Sequence, residues 1–127
     1  LFINLRGLHM AKITLEALQS IDGFAAAALV DRSSGLALAT KGEEIDLELA
    51  AAGNTEVLRA KIKTANALNL KDKIEDILIT LGKQYHLLRP LDRNPELFLY
   101  LVLDRKKSNL AMARHELKSF EQELDFA

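Results

Sequence analysis

The sequence predicts an α+β domain whose elements follow the order helix, two strands, helix, three strands, helix. Two pairs of short apolar segments flank turn-forming residues, as in β-hairpins. The stretch 45–68 carries apolar residues at helical spacing over more than one face. The segment 97–103 is apolar without alternation, which is typical of a strand covered on both faces and therefore central in its sheet.

Length and composition fit one globular domain. Of the 127 residues, 49% are hydrophobic and 28% are charged, and none is cysteine, which excludes a disulfide framework and a thiolate metal site. The formal net charge of −1 gives no overall attraction to nucleic acid or acidic lipid. The longest apolar runs, 24–30 and 97–103, fall far short of the roughly 20 residues that span a bilayer. We therefore expect no membrane insertion and a cytoplasmic location.

Residues 1–9 are expected to be a remnant of cloning. The pair His9-Met10 is what a common cloning site encodes, so Met10 would be the native start. The single domain is then 10–127. The alternative is that Leu1 is the N-terminus of a mature native chain.

The first third of the chain predicts a helix followed by a hairpin. Apolar spacing over 12–21 favours a short helix that Asp22-Gly23 ends. The segment 24–30 is alanine-rich, but the turn residues on either side favour a strand, with 36–40 returning as its partner. Gly35 is expected in the left-handed conformation that closes this turn.

The last part of the chain predicts a second hairpin and a helix. Strands over 74–81 and 84–91 flank Gly82-Lys83, whose glycine suits a type II′ turn. After the central strand, Ser108 is expected to cap an amphipathic helix. Its apolar residues recur at spacings of three and four: Leu110, Ala113, Leu117, Phe120 and Leu124.

The helix over 45–68 has more apolar surface than one sheet contact needs. One arc consists of Leu47, Ala50, Ala51, Val57, Leu58, Ile62, Ala65 and Leu68. The adjacent arc consists of Leu49, Gly53, Ala60 and Ala67, whose small side chains let another backbone approach. We interpret the second arc as a contact with a second chain. The alternative is that alanine and glycine are merely tolerated there, since alanine is the best helix former.

Motifs for catalysis are incomplete. Gly82-Lys83 is followed by Gln84 where a phosphate-binding loop requires Ser or Thr. His115-Glu116 opens like a zinc-protease helix, but Ser119 replaces the second histidine. No Gly-x-Ser-x-Gly nucleophile motif is present. We therefore expect no enzyme activity, no cofactor and no metal ion.

One basic cluster is visible, at Arg105-Lys106-Lys107 with Arg114 and Lys118. Glu116 and Glu121 dilute it, and no aromatic residues interleave for base stacking. We therefore expect no nucleic acid partner.

The sequence resembles the Roadblock / dynein light chain domain family over about 13–123. Besides the long alanine-rich helix, the resemblance lies in the order and spacing of Ile21-Asp22-Gly23, Leu29-Val30-Asp31, Ser34-Gly35-Leu36-Ala37-Leu38-Ala39, Leu97-Phe98-Leu99-Tyr100-Leu101-Val102-Leu103-Asp104 and Ser108-Asn109-Leu110-Ala111-Met112-Ala113-Arg114. It implies a five-stranded antiparallel sheet with the long helix on one face and the N- and C-terminal helices on the other. It also implies a homodimer in which the long helices pack side by side. The third strands, here 73–81, would then pair at an exposed edge.

The resemblance also implies a function. Such domains are typically non-catalytic partners of Ras-like GTPases in bacteria, or scaffold and motor-associated subunits in eukaryotes. The chain is accordingly expected to be a homodimeric regulatory or scaffold protein that binds a small Ras-like GTPase. The expected dimer and partner interface consists of Leu49, Gly53, Glu56, Ala60, Lys63, Ala67, Glu75 and Ile77. Arg32, in the hairpin turn, is the one loosely suggestive candidate for an arginine finger.

An alternative function is a small-molecule sensor with a pocket between sheet and helix. Such a site needs polar residues that converge inside an apolar pocket. The best candidates are Tyr85, His86 and Tyr100.

Overall fold

The computed structural model describes residues 3–5, 8–10 and 13–124. The strands are β1 (Ile3–Leu5), β2 (Leu8–Met10), β3 (Phe24–Asp31), β4 (Leu36–Lys41), β5 (Ile77–Thr80), β6 (Gln84–Pro90) and β7 (Leu97–Asp104). The helices are α1 (Leu47–Ala67) and α2 (Leu110–Glu123), with 3₁₀ turns at Glu16–Ser20 and Arg105–Lys107. β1 and β2 pair with each other in a separate antiparallel ladder. Part of the segment 1–9 lies outside the described residues, so its origin stays a prediction.

The main sheet has five antiparallel strands in the order β4-β3-β7-β6-β5. The predicted α+β class and five-stranded sheet are confirmed. Gly35 closes the β3–β4 turn with φ +76°, the left-handed conformation expected of it. β4 and β5 are the two edges of this sheet.

β7 lies at the centre of the sheet, as its unbroken apolar sequence predicts. Leu97, Leu99, Leu101 and Leu103 contribute to one buried cluster, and Phe98, Tyr100 and Val102 to the other. Because side chains alternate along a strand, these two sets lie on opposite faces. Both faces of β7 are therefore covered.

The face that carries the four β7 leucines is covered by α2 and the N-terminal segment. Ala113 and Leu117 of α2 join the same cluster as Leu15 and Leu18. The helix predicted over 12–21 is wrong in kind and extent, because only the 3₁₀ turn Glu16–Ser20 forms. Its buried residues recur every two or three positions, which suits an extended entry followed by a three-residue turn more than an α-helix.

α1 covers the other face. It begins after Asp46, whose side chain accepts a hydrogen bond from the Leu49 backbone N–H at 3.1 Å. Its buried residues Leu47, Ala51, Thr55 and Leu58 lie on the first of the two arcs. Within that arc, Val57 and Leu68 depart from the pattern and are exposed.

Three local predictions differ from the structure. Gly82 does not adopt a positive φ, so the β5–β6 turn is not type II′. The Arg105 side chain and backbone hold this turn instead, by hydrogen bonds to Leu81 O at 2.8 Å and Lys83 O at 3.0 Å. Asn109, and not Ser108, caps α2, accepting from the Met112 N–H at 3.1 Å. The strand predicted over 74–81 is shorter, since pairing with β6 begins only at Ile77.

Candidate protein-interaction surface

The outer face of α1 is exposed along its whole length. We define the outer face as Leu49, Gly53, Glu56, Ala60, Lys63 and Ala67, all of which are exposed. Leu49 is 70% exposed, which is unusual for a leucine in the first turn of a long helix. The second apolar arc therefore does not contact the sheet, and the excess apolar surface of this helix faces outward.

Gly53 makes the outer face flat near its middle. A Cβ atom built at this position meets nothing within 4 Å. The glycine is therefore not required by packing within the chain, although glycine weakens a helix interior by about 0.5–1 kcal/mol relative to alanine. A flat position allows the backbone of another helix to approach closely.

Charges on the outer face are few and of opposite sign. Glu56 and Lys63 lie two helical turns apart. Glu56 accepts a hydrogen bond from Arg59 at 3.2 Å. Arg59 also donates to the backbone carbonyls of Arg32 and Ser33, both at 2.8 Å, and so ties α1 to the β3–β4 turn. The apolar pattern of the sequence did not indicate this link.

The edge strand β5 lies beside a sheet surface that α1 leaves partly open. α1 contacts β3 and β4. Ile77 and Ile79 of β5 pack only at the margin of the α1-side cluster and are half-buried, while Glu75 precedes the strand and is exposed. The expected interface residues thus occupy two places, the outer face of α1 and the β5 edge.

The basic residues near α2 are partly engaged within the chain. Arg114 binds Asp76 through two hydrogen bonds, at 2.8 and 3.1 Å, and this contact raises the pKa of the guanidinium. The Arg105 guanidinium lies 5.2 Å from the centre of the Tyr85 ring in addition to its bond to Leu81 O. Both arginines therefore serve to position the segment before β5 and the β5–β6 turn.

Of the three residues proposed for small-molecule sensing, His86 and Tyr100 contact each other, whereas Tyr85 packs against the cluster on the opposite face of the sheet. The Tyr100 hydroxyl lies 2.9 Å from His86 Nδ1, and His86 Nε2 lies 2.9 Å from Gln84 Oε1. Since the amide oxygen can only accept, Nε2 carries the proton and Nδ1 accepts from the tyrosine. Burial lowers the pKa of His86; burial also raises the pKa of Tyr100, which a hydrogen bond with Asn54 partly offsets. These polar groups therefore satisfy one another.

Arg32, the arginine-finger candidate, is half-buried and follows β3 in the turn that Arg59 holds. Among the described residues, no group of three or more His, Cys, Asp or Glu side chains is placed to hold a metal ion. No helix in the described part of the chain is long and apolar enough to cross a bilayer.

These features define an α+β domain whose central antiparallel sheet carries a long helix with a free apolar face. This is the fold of Roadblock/LC7 domains. The Roadblock/LC7 domain from Streptomyces avermitilis is similar with a TM-score of 0.73 and 13% identity, over 84% of this chain and 87% of that one. The gliding protein MglB from Thermus thermophilus has a TM-score of 0.66 and 20% identity, over 86% of each chain.

A further similar structure is an MglB with a tetrameric arrangement, with a TM-score of 0.65 and 19% identity, over 86% of this chain and 85% of that one. No family model and no curated protein matches the sequence. At these identities the likeness establishes the fold, an α+β domain with a five-stranded antiparallel sheet.

Proposed function

We propose that this chain is a non-catalytic homodimeric regulatory or scaffold protein that binds a Ras-like small GTPase in the cytoplasm. The observation that carries the proposal is the outer face of α1, which is apolar, flat at Gly53 and exposed in the single chain. An apolar surface of this kind is typical of a protein-binding site. The resemblance of the sequence to Roadblock domains supplies the class of partner.

The outer face suits an antiparallel contact between two copies. A twofold axis near Ala60 would place Gly53 of one copy opposite Ala67 of the other, and Glu56 opposite Lys63. In such an isologous contact each pair occurs twice, so both charges of each copy meet an opposite charge. Small residues at Gly53, Ala60 and Ala67 would let the helix axes approach.

The β5 edge offers a second contact for the same dimer. β5 has four residues and pairs with β6 only, so its outer backbone groups are available to another strand. Ile77 would add apolar contact, and Glu75 would lie beside the junction. Pairing β5 with its twin would join the two sheets into one.

Light scattering of the double variant Gly53→Glu/Ala60→Glu tests the dimer. The unsubstituted chain is expected at twice 14.1 kDa and the variant at 14.1 kDa, because two carboxylates per copy would face each other at the helix contact. Both positions are exposed, and glutamate favours a helix more than glycine does, so the single chain should keep its fold. Circular dichroism checks this.

Ala111→Glu/Met112→Glu is the matched control, since both residues are exposed on α2. It adds the same two charges away from the outer face and should remain dimeric. A monomeric unsubstituted chain at micromolar concentration, or a Gly53→Glu/Ala60→Glu variant that stays dimeric, would contradict the proposed helix contact.

GTPase binding is tested by calorimetric titration with the Ras-like GTPases encoded in the same genome. One of them is expected to bind the dimer at least about tenfold more tightly in one nucleotide state, because a regulator acts by differential affinity for two conformations. Lys63→Glu should weaken that binding. If none of these GTPases binds in either the GDP form or the form with a non-hydrolysable GTP analogue, the partner class is wrong.

Arg32→Ala separates docking from stimulation of GTP hydrolysis. An arginine finger contributes about 10³–10⁵ in rate, whereas a turn residue outside the GTPase site contributes none. We expect binding and the rate of GTP hydrolysis to be unchanged in this variant, which is the result for a protein that only docks. A loss of hydrolysis with binding retained would assign the finger to Arg32.

A further inference from the structure

A cavity of about 250 Å³ lies near the C-terminal end of α1, and no residue of the α1 outer face lines it. The segment before β5 and the loop between β6 and β7 complete its walls. Its apolar lining consists of Ile62, Ala65, Ile74, Pro90, Leu91 and Pro95. We call this cavity the α1-end pocket. Its volume lies just below the roughly 300–1,000 Å³ of pockets for drug-sized ligands, so it suits a single ring or a short branched chain.

The α1-end pocket adjoins a polar cleft of about 500 Å³. Arg32, Ile62 and Asn66 line both spaces and therefore lie at the boundary between them. The cleft adds Arg59 and Lys63 to Arg32, against the single carboxylate of Glu96, and its other lining residue is Ser33. Asp72, Asp92 and Lys73 also line the pocket, so the excess of positive charge lies on the cleft side, and an apolar group in the pocket would carry its polar end there.

Arg32 is positioned for this role by its backbone. Its N–H donates to Glu96 O at 2.7 Å, and its carbonyl accepts from Arg59 at 2.8 Å. The other cation at the pocket rim, Lys73, pairs with Asp92 at 3.6 Å. Arg32 lines both the pocket and the cleft, so it is the rim cation placed to meet the polar end of a ligand.

We propose that the α1-end pocket binds a compact apolar group that carries a carboxylate. The apolar group lies against Ile62, Ile74 and Leu91, and the carboxylate meets the guanidinium of Arg32, with the Asn66 amide as a second donor. Guanidinium and carboxylate form paired, charge-assisted hydrogen bonds, which makes this end of the site selective for an acid. The same chemistry is offered by a free small acid and by the C-terminal residue of a peptide.

Methyl NMR titration with 3-phenylpropionate tests the site directly. Saturable shifts are expected for the methyl groups of Ile62, Ile74 and Leu91. Arg32→Gln should weaken binding about tenfold, and 3-phenylpropanamide should bind about tenfold more weakly to the unsubstituted chain and be insensitive to that substitution. Lys61→Gln, at an exposed lysine of α1 that lines neither the pocket nor the cleft, is the matched control and should alter binding less than about threefold.

A second variant tests the apolar half of the site. Ala65→Leu places three more carbon atoms at a half-buried position of the pocket wall and should abolish the shifts of the other pocket methyl groups. The backbone amide spectrum should keep its dispersion, which shows that the fold survives. Retained binding by a folded Ala65→Leu variant would overturn the placement of the apolar group.

Two peptides distinguish a small free acid from a peptide C-terminus as the ligand. They are N-acetyl-Gly-Gly-Phe with a free C-terminus and the same peptide as a C-terminal amide. Tighter binding of the free-carboxylate peptide than of 3-phenylpropionate assigns the site to a peptide terminus, and the reverse order assigns it to a small acid. No saturable shift of the pocket methyl groups up to about 10 mM of either acid overturns the proposal. Equal affinity for acid and amide forms overturns it as well.

Discussion

Gly23 and Gly53 lie in opposite environments. Gly23 precedes β3 with φ +81°, and a Cβ there would lie 2.9 Å from both Asp104 O and Ser108 Cβ. Gly53 lies in α1, and a Cβ there meets nothing within 4 Å. The first glycine is therefore required by the fold of the single chain, and the second is not.

Alanine at these two positions should change stability in opposite directions. Gly23→Ala is expected to lower the free energy of unfolding by about 1–3 kcal/mol, because it combines a positive φ with close contacts. Gly53→Ala is expected to raise it by about 0.5–1 kcal/mol in dilute solution, where the single chain dominates. Urea unfolding measures both. A Gly23→Ala variant with an unchanged free energy of unfolding would show that the turn can relax.

His86 should make stability depend on pH. Burial lowers its pKa in the folded chain below the ordinary value of about 6.5, so the unfolded chain takes up the proton more readily. Stability is therefore present at neutral pH and decreases as pH falls through about 6.5. Urea midpoints at pH 7.5 and 5.5 should differ less in His86→Gln than in the unsubstituted chain. His115→Gln, on an exposed residue of α2, is the control, and an equal reduction there would contradict this assignment.

A buried ion pair joins the end of α2 to the end of β6. Glu121 is only 4% exposed, and its carboxylate accepts from Arg89 Nε at 2.9 Å and from the Asp92 backbone N–H at 2.7 Å. Arg93 donates to the backbone carbonyls of Glu121 and Leu124 at the same place. The last turn of α2 is thus attached to the loop that follows β6.

Glu121→Ala should be strongly destabilising. It leaves the buried guanidinium of Arg89 and the Asp92 N–H without this acceptor, and removing one partner of a buried pair costs about 3–5 kcal/mol. Glu123→Ala, at an exposed position of the same helix, should change stability by less than about 0.5 kcal/mol. Urea unfolding compares the two variants. A third variant, Arg89→Leu/Glu121→Leu, should lose less stability than Glu121→Ala, because no unpaired buried charge remains. A loss below about 0.5 kcal/mol for Glu121→Ala would contradict this account.

Strongly patterned elements were predictable, and elements held by distant contacts were not. α1 and β7 follow from apolar spacing alone, within two residues at each end. The prediction of a helix over 12–21 was wrong because the spacing of its apolar residues is set by packing against α2 and the sheet, and not by a helical repeat. The burial of Glu121 was not predictable either, since no local signal pairs it with Arg89, 32 residues away.

At the scale of the whole molecule, the prediction of one five-stranded antiparallel sheet depended on the resemblance and not on local pattern. Both hairpins are marked by their turns, but β3 and β7, which pair, are separated in the chain by α1 and three strands, β4, β5 and β6. Hydrophobic pattern predicts that β7 is central without naming its neighbours. The outer face of α1 was predictable as a second apolar arc. Which of the two arcs contacts the sheet could be decided only from the structure. Its role as an interface stays a proposal.

The pairing of β3 with β7 also bears on how the chain acquires its structure during synthesis. Asp31 lies opposite Leu97 and Phe24 opposite Leu103, so the middle of the sheet closes only after β7 has left the ribosome. Contacts between such distant segments slow folding, because a long loop must close before they form. Until then, the alanine-rich strand β3 lacks its inner neighbour and remains open to aggregation. We therefore expect the newly made chain to need this apolar strand shielded until β7 is available.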